Sequence, residues 1–381
     1  MQHALELELI EELRELKAAK SAYLNTDVTT SAVARYQSPL QFAAEKDAVF
    51  ARFPHAPLHA GELDGPGTFR RCDVNGLPVL VTRDRAGKVR AFLNVCRHRG
   101  ARLVEEESGC KHRFTCPYHA WTYDSAGPLV GAPHFDSGFA GVLDKDGIAL
   151  KSLPACEAFG LIWVVPDPGG TFDFSSYFAP LAQELEALGM ADMAIVAQDR
   201  IEVAANWKII VEGGIEAYHF KVAHRATIGP FFEDNLSSYR TFGPHMRSIL
   251  PRTSMAALDD AERGEWKLRD HANVLYTLFP LTQLLVQQDH VVCISSIPAG
   301  PETTELRLCT IASRHCGKGE EYWSRNHAIT MDTLREDFAI GEGIQAGLSS
   351  GANDELFFGR FEGALGAFNR SVDQLVAEHA R

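Results

Sequence analysis

Apolar and polar positions along the chain change rhythm twice. In residues 4–20, Leu5, Leu9, Ile10, Leu13 and Leu16 recur at helical spacing among strong helix formers, with acids early and lysines late. This stretch predicts an amphipathic helix docked on the body of the protein, or else a subunit contact. From about Glu45 to Val165 the pattern becomes short β-type runs broken by Gly, Pro and Asp: Thr68 to Asp73, Leu77 to Arg83, Val89 to Asn94 and Leu161 to Val165. Such runs cannot build a helical bundle and predict a small antiparallel β domain. The breaker Pro166-Asp167-Pro168-Gly169-Gly170 marks its expected end.

Beyond the breaker the pattern mixes. Residues 178–190 read as a helix, and Val274 to Leu278, Gln283 to Gln287, Val291 to Pro298 and Glu305 to Ala312 read as strands. Two helices are expected at the end, at roughly 318–346 and 355–379, parted by Ser349-Ser350-Gly351, with Asp354 and Glu355 as capping acids of the second. A sheet flanked by C-terminal helices is an α+β pattern that could enclose a pocket. The expected division is 1–44 as helix and lead-in packing on the second domain, 45–166 as the β domain, and 167–381 as the α+β domain.

Composition narrows the class. Apolar residues at 45% and charged residues at 23% are ordinary for a soluble globular protein. A net charge of -13 argues against a nucleic-acid partner, and leaves room for steering by a basic redox partner. No run of about 18 apolar residues is present to span a bilayer, and the N-terminus lacks the basic start and apolar core of a signal peptide. A cytoplasmic protein is expected. The eight cysteines are scattered; Cys72, Cys110, Cys156, Cys293, Cys309 and Cys316 read as reduced thiols, with Cys110 a small semi-buried filler.

The remaining two cysteines carry chemistry. Cys96 and His98, then Cys116 and His119, form Cys-x-His-x17-Cys-x2-His. Two thiolates and two imidazoles suit a tetrahedral zinc, or a 2Fe-2S cluster in which histidines replace the cysteines on one iron. A zinc finger pairs Cys with Cys and His with His, whereas here each loop supplies one of each, which favours the cluster.

The flanks, Asn94-x-Cys96-x-His98-Arg99-Gly100-Ala101-x-Leu103 and Cys116-Pro117-x-His119-x-Trp121-x-Tyr123, resemble a Rieske domain nearly residue for residue. A second constellation lies further on. Glu212, Glu216 and His219 are spaced to share one helical face, but His224 would lie about 140° from His219 on an ideal helix. Both histidines could bind one metal only if the helix bulges or ends between them. Asn206-Trp207-Lys208, Glu212 and Glu216-x-Tyr218-His219-x4-His224 together resemble the catalytic segment of the Rieske non-haem iron oxygenases, and the likeness runs from about Tyr36 to the final helix.

That resemblance implies a helix-grip, START-like catalytic domain behind the Rieske domain. It implies one 2Fe-2S cluster on Cys96, His98, Cys116 and His119, and a mononuclear iron(II) on His219 and His224 with a carboxylate from the C-terminal helix. Among Glu336, Asp337 and Glu342 the family pattern points to Asp337. Two histidines and one carboxylate occupy one face of an octahedron and leave positions open for oxygen. Glu216 stands where the family carries a bridging acid, usually Asp, beside the partner subunit's His119 in a ring of three. Gly213 stands where relatives often carry Asn. Trp207 and Tyr218 read as packing residues, and His134, His245, His271 and His290 as structural or surface histidines.

The function implied is the terminal oxygenase of a multicomponent system. It would use O2, and electrons from NAD(P)H through a flavin and iron-sulfur reductase or a ferredoxin, to hydroxylate a small, aromatic or otherwise apolar substrate. The chain carries no GxGxxG in a strand-helix context, so the nicotinamide would be handled elsewhere. The Gln345 to Gly351 region looks somewhat like that of members acting on choline, betaine or carnitine; Phe220, Phe231, Phe232, Tyr276 and Phe279 are the candidates for the aromatic cage such a substrate needs. Readings from other classes are a Rieske electron carrier without oxygenase activity and a zinc hydrolase.

Overall fold

The structure is a computed structural model and describes residues 1–21, 24–139, 141–315 and 317–380. The chain divides into two compact units, residues 50–178 and residues 1–49 with 179–381.

The 50–178 unit is built of short antiparallel strands. A five-stranded sheet runs in the order Ser152–Leu153, Val89–Leu93, Leu77–Arg83, Thr68–Val74, Ser108–Cys110. Its central hairpin is set locally: Asn75 and Gly76 both take positive φ between the paired Val74 and Leu77, the two-residue turn whose twist matches flanking strands. Two three-stranded sheets complete the unit, one of them Arg113–Thr115, Thr122–Asp124 and Leu129–Gly131. The unit continues past the Pro166 to Gly170 breaker, because Tyr177 and Phe178 pack their rings against Phe53 and Trp163.

The other unit is a seven-stranded antiparallel sheet with helices on it. Six strands from Ser238–Phe242 to Thr303–Ser313 follow one another as a meander, and the earliest, Met193–Val203, joins the far edge beside Thr303–Ser313. Val292, Ile294, Leu306 and Leu308 on the sheet bury themselves with Ile209 of the helix Trp207–Ile215 and with Met331, Phe338 and Leu348 of the helix Glu320–Leu348. The helix His3–Ala18 buries Leu9, Ile10 and Leu13 and lies against Leu268–His271. No described helix is long and apolar enough to cross a membrane.

Four expectations change. Residues 178–190 form two short helices, Phe174–Phe178 and Ala182–Glu186, because Pro180 interrupts the run. Glu355 does not cap a helix: Glu355–Phe358 is a strand paired with Thr29–Ala32, and the last helix begins at Gly363. The helix Trp207–Ile215 ends before Glu216, whose backbone is extended (φ -123°, ψ 165°), so Glu212 and His219 do not share a face. Cys110 is exposed rather than semi-buried. Cys96, Cys110, Cys116 and Cys156 are free thiols, and Cys316 lies outside the described residues.

Candidate metal centres

The two Cys-His loops are built alike. In the first, Cys96 N donates to Ala101 O at 2.8 Å and Gly100 N to Cys96 O at 3.0 Å; in the second, Cys116 N donates to Trp121 O at 2.8 Å and Ala120 N to Cys116 O at 3.0 Å. Each turn closes through a residue with positive φ, Gly100 at 75° and Ala120 at 56°. Asn94 pins the first loop through Nδ2 to Val104 O (2.7 Å) and Oδ1 from Val104 N (2.9 Å). Tyr123 ties the loops together, its hydroxyl accepting from Arg97 N at 3.0 Å and lying 3.4 Å from Cys96 Sγ.

The two histidines lie side by side, as do the two cysteines. His98 and His119 have ring centroids 4.7 Å apart, and Trp121 stacks on His98 at 4.7 Å, 9° from parallel. Both cysteines are buried, and burial, with Cys96 alongside, pushes the Cys116 thiol up. His98 Nδ1 is buried without a hydrogen-bond partner. Buried polar atoms are nearly always satisfied, so this nitrogen fits a position that bonds a metal. His119 is exposed.

The second centre is set by the helix break. Glu216 turns its carboxylate onto the chain that follows, Oε2 accepting from Tyr218 N and His219 N and Oε1 meeting His219 Nδ1. A one-turn helix, Phe220–Ala223, then separates His219 from His224, so the two rings flank a turn instead of lying on one continuous helix. Their Nε2 atoms converge on a single oxygen, Asp337 Oδ1, at 3.4 Å and 2.9 Å. Ligand atoms of His219, His224 and Asp337 lie within 4.8 Å of one another. For His219, burial opposes the charged form, but hydrogen bonds that the ring donates to Asp337 and Glu216 outweigh it and raise the pKa to about 10.

Of the other acids considered, Glu336 accepts from His224 Nδ1 at 2.8 Å and from Thr227 Oγ1 at 2.6 Å, while Glu342 accepts from Ala204 N, away from the histidines. The Asn206-Trp207-Lys208 motif proves to be anchorage. Asn206 caps the helix through Lys208 N, Trp207 Nε1 donates to Glu45 at 2.8 Å, and the fully buried Lys208 pairs with Glu45 at 2.7 Å. Glu212 accepts from Tyr36 and Asn369 at 2.9 and 2.7 Å. Glu45, Tyr36 and Asn369 were not identifiable from sequence, since each is far along the chain from its partner. Tyr218 is half exposed and packs on Phe361. Of the four lone histidines, His245 accepts from Phe279 N and His290 pairs with Asp289.

A chamber of about 210 Å³ opens beside the three convergent groups. Its walls are aliphatic, among them Ile209, Leu250, Leu275, Leu285, Ile294 and Ile344, and Asn273, Gln283 and Thr333 are polar. Phe220 and Phe338 are the aromatic rings lining it besides the two histidines. Tyr276 points elsewhere, its hydroxyl 2.8 Å from Glu184, and Phe279 packs on Phe368. An aromatic cage from the five candidates is therefore not formed.

Two family models match the chain, one in each unit. Residues 55–154 match the Rieske [2Fe-2S] domain and residues 190–378 the ring hydroxylating alpha subunit (catalytic domain). The carnitine monooxygenase oxygenase subunit of Escherichia coli K12 is 31% identical over 322 residues, 83% of each chain. The chain belongs to the Rieske non-haem iron oxygenases. The glycine betaine monooxygenase oxygenase subunit of Chromohalobacter salexigens is 26% identical over 359 residues, 83% of this chain and 78% of that one. A quaternary ammonium Rieske monooxygenase in complex with an inhibitor has the same fold, with a TM-score of 0.80 at 23% identity over 92% of this chain and 96% of that one. A Rieske oxygenase carries a 2Fe-2S cluster and a mononuclear iron, and the donor sets described here fit both. It is an oxidoreductase, a mono- or dioxygenase.

Proposed function

We propose that Cys96, His98, Cys116 and His119 hold the cluster and His219, His224 and Asp337 the iron of a terminal oxygenase acting on a small organic substrate in the aliphatic chamber. The observation that carries this reading is the convergence of two imidazole Nε2 atoms and one carboxylate oxygen at the wall of an apolar cavity. When bound, the iron supplies activation of dioxygen, with electrons arriving by way of the cluster from a reductase partner that uses NAD(P)H.

The chain's own residues then have defined tasks. Glu216 and Glu336 accept from the outer ring nitrogens of His219 and His224, which leaves each Nε2, beside Asp337, as the atom that would bond a metal. Ile209, Leu275 and Ile294 exclude water and orient an apolar part of the substrate towards the three ligands. Glu216 and the exposed His119 are the residues assigned to transfer between neighbouring subunits of a trimer. The aliphatic walls favour an aromatic or other apolar body. The second reading, oxidation of a quaternary ammonium compound, is favoured by the likeness to carnitine and glycine betaine monooxygenases.

Metal analysis and oxygen uptake test the assignment together. The full chain is expected to hold about three irons, and Asp337→Ala about two with unchanged cluster absorption. Oxygen uptake with a surrogate reductase is expected to rise with at least one member of a panel of aromatic acids and methylated amines. Two irons in the unaltered chain would support an electron carrier, and two irons with one zinc a hydrolase; either result overturns the oxygenase assignment.

A further inference from the structure

The chamber shares a wall with a second cavity. Ile228, Asn273, Leu285, Thr333 and Leu334 line both the chamber and this cavity of about 410 Å³. The second cavity is also lined by Phe231, Phe232, Thr253, Ser254 and Arg252. Arg252 is the charged side chain among its described lining residues.

The state of this arginine is unusual for a half-buried cation. Its Nη2 donates to Asn273 Oδ1 at 2.6 Å, and its guanidinium lies 5.9 Å from the Phe232 ring centroid. Among the described residues no carboxylate lies within 4.0 Å of it. The two acids whose charge reaches it are engaged elsewhere. Asp270 accepts from Gln288, and Asp289 accepts from His290, Lys318 and Tyr322. Burial draws the guanidinium pKa down from its ordinary value. A guanidinium presents five donors in a planar fork that matches a carboxylate bidentately, and one neutral amide oxygen satisfies little of it.

We infer that Arg252 receives a carboxylate of the substrate, so that the ligand is a small organic acid whose apolar end extends through the chamber to His219, His224 and Asp337. This rests on the oxygenase reading for the chemistry at the inner end, and on Arg252 and its cavity for the outer end. A charge fixed at one end of a molecule orients the other end, which is how a single polar contact in an apolar pocket selects the position attacked. Aromatic acids and betaines share this carboxylate; neutral hydrocarbons and choline lack it.

Calorimetric binding to the iron-loaded full chain without reductase tests the inference. The probes are 4-methoxybenzoate against 4-methoxybenzamide, and glycine betaine against choline. At least one acid is expected to bind roughly tenfold or more tightly than its counterpart. Arg252→Gln is expected to weaken that acid roughly 10- to 100-fold while leaving the counterpart, the iron content and the cluster absorption unchanged. Asn273→Asp places a carboxylate on the fork and is expected to cause the same loss, so the test survives if Arg252→Gln misfolds. Acids that bind no better than their counterparts, or variants that bind the acid like the parent chain, overturn the inference. Oxygen uptake separates the two readings: Arg252-dependent acid binding without substrate-dependent uptake sinks the oxygenase reading alone. Uptake with an unchanged KM for acids in Arg252→Gln sinks this inference alone.

Discussion

Glu336 accepts from His224 Nδ1 at 2.8 Å, and its chain neighbour Asp337 meets Nε2 of the same ring at 2.9 Å. Consecutive acids on one helix thus hold opposite edges of one imidazole. A carboxylate facing Nδ1 fixes the proton there and frees Nε2 for a metal. Glu336→Ala is expected to weaken Fe(II) or Co(II) binding by about 10- to 100-fold, with the cluster spectrum unaltered. Competition with a chelator measures this; unchanged affinity would remove Glu336 from the site.

Gly213 lines the chamber, and a Cβ built on it would meet nothing within 4 Å. Its neighbour Gly214 differs, since a Cβ there would press on the Gln283 amide at 3.0 Å. Gly213→Ala removes a helix-interior glycine and is expected to stabilise the unit by up to about 1 kcal/mol. Gly213→Leu is expected to fill the chamber and raise KM for bulky substrates while small ones are spared. Thermal melts and KM ratios for substrates of graded size check both.

Burial raises the Glu212 pKa to about 7 against the hydrogen bonds from Asn369 and Tyr36. An acid with a raised folded pKa binds its proton more tightly in the native state, so its contribution to stability is greatest below about 4.5, the unfolded value. It is lost as pH rises through about 7. The full swing is about 3 kcal/mol. Glu212→Gln is expected to flatten this slope, and to be at least as stable as the parent chain at pH 8. Urea midpoints at pH 5, 6, 7 and 8 measure it; identical slopes in the two proteins would contradict the assignment.

The proposed ligand sets were readable because each lies in a short stretch with characteristic spacing: Cys96 to His119, and His219 to His224. Asp337 was readable only through its likeness to a family pattern. A break between His219 and His224 was called for by their spacing, but its place before Glu216 was not legible, because helical periodicity continues through Glu216 in sequence while its carboxylate takes the amides of Tyr218 and His219. The strand Glu355–Phe358 was hidden for another reason: its partner Thr29–Ala32 lies at the other end of the chain. Arg252 had no spacing to mark it, since its meaning comes from a cavity wall assembled by strands and a distant helix. The strands Met193–Val203, Ser238–Phe242 and His245–Pro251 were also missed, although the first two are the edges of the large sheet.

The order in which the chain is synthesised meets this architecture unevenly. Domains generally fold as units, beginning with those completed first. The 50–178 unit is continuous, so it is complete while the first 49 residues still lack their partners. Glu45 then waits as a carboxylate for Lys208, and Tyr36 for Glu212. Thr29–Ala32 remains an unpaired strand until Glu355–Phe358 leaves the ribosome. The nascent protein therefore passes through a stage with a finished cluster unit and an open, unpaired edge at its front, the period in which it is most exposed to wrong pairing with other chains.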